Sequence, residues 1–154
     1  MDQWSTLVAR FGRLIGVDGL EIESAGACRL ELDERLAIDF EVDLNNQLHL
    51  YSVMPSVPAD VRPAVALRLL SENYAAHRRH DHSMFVHDEG AGVFLLHRRM
   101  PDTVETVEEF ELIVRSFSEA AESWIDRIDG DLSRPPAVAS TESVVPSSFI
   151  SQRA

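Results

Sequence analysis

No lysine occurs in this chain. All 14 basic residues are arginines, and they face 26 acids, for a net charge of −12. A surface of that sign repels nucleic acid phosphates and anionic lipid, and it favours solubility and basic partners. Beyond residue 130 the charges cancel, Asp131 and Glu142 against Arg134 and Arg153, so the whole excess belongs to the preceding part. Cysteine is nearly absent too. Cys28 stands alone, which excludes an internal disulfide and fits a reducing cytosol. No apolar run approaches the roughly 20 residues of a membrane span. No charged-then-apolar leader follows Met1, so no secretory signal is expected.

Recognisable catalytic chemistry is also scarce. No serine lies in a nucleophile-elbow sequence. Gly90-Ala91-Gly92 contains a Gly-x-Gly, but it joins two strands and opens no helix, so a hairpin turn is the better reading. His77, His80 and His82 cluster beside Asp81. They fall at a helix end next to Arg78 and Arg79, which disfavour a cation, and a structural zinc site needs four close ligands. His49, His87 and His97 occupy strand positions. Neither an enzyme nor a metal or cofactor site is expected.

What is present is ordered patterning in 154 residues, about one domain. Trp4, Leu7, Val8, Phe11, Leu14 and Ile15 recur at steps of three and four, which predicts a helix over residues 3–15 stopped by Gly16. Three alternating strands follow, at 27–32, 36–42 and 47–54. In the third, Leu48, Leu50, Ser52 and Met54 share one face, and His49, Tyr51 and Val53 the other. That second face is apolar enough to be covered by something. A second helix is predicted to about residue 76, with Asp60 as its cap and Pro63 in its first turn. Val65 and Leu69 lie on one side of it, and Leu67, Leu70 and Tyr74 on another, so it is expected to be buried on two sides. Strands at 83–87 and 92–98 form a hairpin. A long helix from about residue 103 to 128 follows, capped by Asp102 or Thr103 and closed by Gly130. From residue 131 to 154, proline and serine dominate, and a disordered tail is expected, with Val144, Val145, Phe149 and Ile150 its only anchors.

Four stretches resemble the class I type III secretion chaperones, the Tir chaperone family. Gly26-Ala27-Cys28-Arg29-Leu30-Glu31-Leu32-Asp33 is similar to the family's first strand. Leu48-His49-Leu50-Tyr51 with Val57-Pro58 resembles its third strand and the lead into the second helix. Leu69-Leu70-Ser71-Glu72-Asn73 resembles that helix's end, and Phe110 through Ala120-Ala121-Glu122-Ser123-Trp124 its last helix. The match spans about residues 3–128. The run Ala75-Ala76-His77-Arg78-Arg79-His80-Asp81-His82 departs from the glycine and small residues usual after the asparagine.

The resemblance implies an α+β single domain, helix-strand-strand-strand-helix-strand-strand-helix, with a twisted, mainly antiparallel sheet packed with helices. It implies a homodimer of a 1–130 chaperone domain in the bacterial cytoplasm. It implies binding of an effector's N-terminal segment, kept extended and secretion-competent without ATP, and adds the secretion-apparatus ATPase as a further partner. The alternative is a dimeric adaptor of the same fold for a regulator or another non-secreted protein. Leu67, Leu70, Tyr74, Met84 and Phe85 are the expected dimer contacts. Leu14, Ile15, Phe40, His49, Tyr51 and Val53 are the expected effector-binding surface.

Overall fold

A computed structural model of the chain describes residues 3–132. The elements are α1 (Gln3–Leu14), β1 (Ala27–Glu31), β2 (Ala37–Val42), β3 (Leu48–Val53), α2 (Arg62–Arg78), β4 (Ser83–Asp88), β5 (Val93–Arg99) and α3 (Val107–Arg127), followed by one π-helical turn, Ile128–Leu132. The order is the one expected. The strands form one antiparallel sheet in the order β1-β2-β3-β5-β4.

Alternation decides which face each strand buries. Leu30, Ile38, Phe40, Leu48, Leu50 and Leu96 lie on the inner face, all almost fully buried. There α1 and α3 cover them. Phe11 from α1, Phe40 from β2 and Phe110 from α3 form an aromatic triad with centroids 5.4–6.5 Å apart. At the other end of the sheet α2 lies beside β4, and Trp124 of α3 stands edge-on to Phe85 at 4.8 Å.

Turns are fixed by local polar bonds. Asp33 Oδ1 accepts from the amides of Arg35 and Leu36 between β1 and β2. Asp43 Oδ1 accepts from Asn45 and Gln47 between β2 and β3. Such side-chain turns are what aspartate offers a hairpin. Gly16 takes φ +76° just past α1, the left-handed stop expected there. Gly12 serves a different purpose. A Cβ on it would meet Leu20 Cβ at 2.7 Å and Val17 O at 2.9 Å, so the missing side chain lets the following loop fold back on α1.

Three helix ends differ from the expectation. The N-cap of α2 is Val61, which has no side-chain capping bond, rather than Asp60. The N-cap of α3 is Thr106, not Asp102 or Thr103. Thr106 accepts from the Glu109 amide and Glu109 returns a bond to the Thr106 amide, a capping box. Burial of Val104 holds the preceding residues in a turn. Gly130 does not close α3; it lies inside the π-turn, which carries ordered chain to Leu132. The rest of the expected tail, 133–154 with its four apolar anchors, lies outside the described residues.

Candidate functional site

Three surfaces stand out. The first begins with α1. Its stripe buries Trp4, Leu7, Val8 and Phe11, and the chain then turns at Gly16. The turn leaves Ile15 and Val17 partly exposed beside Leu32, which is 45% exposed just past β1. Together with Phe11, Leu30 and Val114 they line an apolar groove of about 370 Å³ between α1, β1 and α3. Arg115, paired with Glu111 on α3, forms its polar rim.

The edge of β1 adjoins this groove. Val42 N–H donates to Gly26 O and Leu32 N–H to Leu36 O, which sets the ladder's alternation. Cys28 and Leu30 therefore bond toward β2, and the backbone groups of Arg29 and Glu31 point outward. The Ala27 carbonyl is already used, accepting from Glu23. Arg29 and Glu31 thus present a short receptive edge next to apolar surface.

The second surface is the outer side of α2. Val65, Leu69 and Ala76 are buried, whereas Leu67, Leu70 and Tyr74 are 62–68% exposed. Leu70 also borders an apolar groove of about 370 Å³ between α2 and the β4–β5 hairpin. Large side chains this exposed and this close mark an interaction surface.

The third is the outer face of the sheet, a hollow of about 600 Å³ lined from all five strands and crossed by Tyr51 and Leu95. Arg29 and Asp39, directly opposite each other, make a bidentate pair at 2.7 and 2.8 Å. Beside them His49, Tyr51 and His97 stack, the Tyr51 and His97 rings 4.8 Å apart. Burial, then the neighbouring His49, holds His97 below the usual histidine range. Burial, with Glu41 and Asp43 near, raises Tyr51.

The expected binding residues do not form one site. Ile15 lines the α1 groove, and exposed Leu14 lies one residue before it. His49, Tyr51 and Val53 lie on the sheet's outer face. Phe40 is not on the surface at all: it is 0% exposed, because β2 parity groups it with Ile38 on the inner face. Phe85 is likewise a core residue, facing Trp124, while its strand neighbour Met84 is exposed on the opposite face. The groove residues Val17 and Leu32 were missed. Val17 lies beyond the end of α1, where periodicity carries no signal, and alternation gives Leu32 only the face it shares with Leu30, not the groove beside it.

Among the described residues no three His, Cys, Asp or Glu side chains converge on a metal position. No described helix is long and apolar enough to cross a membrane. Cys28 is half-buried, and burial with the nearby Asp39 and Glu23 pushes its thiol up to about 11.

The model of the Tir chaperone protein (CesT) family matches residues 6–125. This chain belongs to that family. Its CesT-type fold recurs in solved structures. One chain of the ExsC–ExsE complex superposes with a TM-score of 0.69 at 26% identity, over 82% of this chain and 96% of its own. A chain of the HopA1–SchA chaperone–effector complex gives 0.66 at 18% identity, over 80% and 93%. A chain of the heterodimeric ExoU–SpcU complex, from the type III secretion system of Pseudomonas aeruginosa, gives 0.53 at 20%, over 79% and 94%. No curated protein matches it by sequence. The chain is thus a type III secretion chaperone by family, with an α+β fold that shows three α-helices and a five-stranded antiparallel sheet among the described residues.

Proposed function

We propose that this chaperone binds the N-terminal segment of secreted type III effectors and holds it extended, without ATP. The observation that carries the reading is the pairing of a receptive β1 edge, at Arg29 and Glu31, with the apolar groove of Ile15, Val17 and Leu32. An extended segment can add its backbone to such an edge and seat alternate side chains in such a groove. That mode asks for no nucleotide, only an unfolded client. The HopA1–SchA neighbour, a chaperone–effector complex, supports the same use of the fold.

We also propose that the working form is a homodimer joined through α2. Leu67, Leu70 and Tyr74 support this, since a protomer alone would leave all three in water. Met84 lies on β4, the strand beside α2, and is 47% exposed. Phe85 would take part only through the groove it lines. The docking of a loaded chaperone on the secretion ATPase, and a bacterial cytoplasmic location, belong to the same proposal.

Co-expression with effectors of the native bacterium tests it. Capture of effectors by their N-terminal segments, and failure of their secretion when the chaperone is deleted, are expected. A captured protein that is never secreted would favour the adaptor reading instead.

A further inference from the structure

The two edges of the sheet differ. At β1, Arg29 and Glu31 have no backbone partner on their outer side among the described residues. At β4 the corresponding positions are Ser83, Phe85 and His87, since Phe85 points its backbone away from β5. The Ser83 amide donates to Asp81 Oδ1 at 2.9 Å. Phe85 is closed completely. Its amide donates to Asn73 Oδ1 at 2.7 Å, and its carbonyl accepts from Asn73 Nδ2 at 3.0 Å.

Asn73 reaches β4 from α2. It follows Leu69 by four residues, so it extends the buried stripe of Val65, Leu69 and Ala76, where hydrocarbon would ordinarily sit. A carboxamide carries a donor and an acceptor side by side, as a peptide group does. Here it stands where the backbone of a sixth strand would stand.

We propose that Asn73 decides which edge of the sheet a partner strand can join. It closes β4 against strand pairing with a second copy of this chain, and so leaves β1 as the receptive edge. Uncovered edges template association, and proteins guard them with side chains or covering elements. The β1 half of the proposal rests on the client reading above; the β4 half stands without it.

The full-length chaperone without client provides the test, by residue-resolved amide exchange and by light scattering over a hundredfold range of concentration. In the wild type the Phe85 amide exchanges slowly, and the Arg29 and Glu31 amides exchange fast. The reverse order overturns the proposal, whatever any variant does. In Asn73→Ala the Phe85 amide exchanges about tenfold faster, the equivalent of one net hydrogen bond. The mass of Asn73→Ala rises with concentration beyond that of the wild type. Adding His87→Pro, which removes an outward donor from the same edge, returns the mass to the wild-type value. A folded Asn73→Ala whose mass ignores concentration overturns the proposal. So does self-association that His87→Pro leaves unchanged. None of these readouts involves effector capture, so failure of the client reading leaves the β4 result standing.

Discussion

His49 Nδ1 lies 2.9 Å from His97 Nε2, so one imidazole donates and the other accepts. Two protonated rings would set donor against donor. The folded state therefore resists protonation of His97, whose pKa lies below the usual 6.5 through burial and then through His49. The unfolded chain takes up that proton first as pH falls, so this contribution to stability is complete above pH 6.5 and declines below it. The melting temperature of the wild type is expected to fall from pH 7.5 to 5.5 more steeply than that of His97→Gln. Equal slopes would remove His97 as the source.

Leu69 and Leu70 are one 100° step apart on α2, yet they are 2% and 62% exposed. Leu69→Ala should cost the protomer about 2–5 kcal/mol, the range for deleting a buried leucine side chain. Leu70→Asp should leave the protomer's fold and circular dichroism intact but place an unpaired charge in the proposed α2 contact. Light scattering should then drop from twice the chain mass to 17.2 kDa. A Leu70→Asp dimer of wild-type stability would show that α2 joins nothing.

Ile15→Asp with Val17→Asp charges the α1 groove at partly exposed positions. Effector capture should be lost while the melting temperature moves little. Phe40→Ala is the contrast. It empties a fully buried site in the aromatic triad and should cost about 3–5 kcal/mol, whether or not a client is present. Groove variants that capture effectors normally would place the client elsewhere.

Cys28 should resist alkylation. With its thiol pushed up to about 11, the reactive thiolate is about 100-fold rarer than at the ordinary value of 9.0. Iodoacetamide at pH 8 should label native protein slowly and denatured protein at the rate of a free cysteine. Equal rates would mean that Cys28 is open to solvent.

How much of this was legible beforehand depended on distance along the chain. The faces of β3 followed from alternation alone, His49, Tyr51 and Val53 outward and Leu48, Leu50 and Ser52 inward. The two apolar sides of α2 followed from its 100° step, and the structure buries one and exposes the other. The cap of α3 was missed although Thr106 and Glu109 spell out the capping box, which Thr103, followed three residues later by Thr106, cannot form. Phe40 was placed outside against its own strand's parity. The bond between Asn73 and Phe85 joins residues 12 apart on different elements, and no periodicity announces a contact of that kind.

Gly12 makes no contact that a client could feel, yet it seats the loop that carries Ile15 and Val17. One methyl group there would meet Leu20 and the Val17 carbonyl, and the groove's rim would have to move aside. If clients seat in this groove as proposed, the repertoire of such a chaperone can drift through a position that never touches cargo. On that reading, relatives with identical groove side chains but a different residue in this one helical turn would sort their cargo differently.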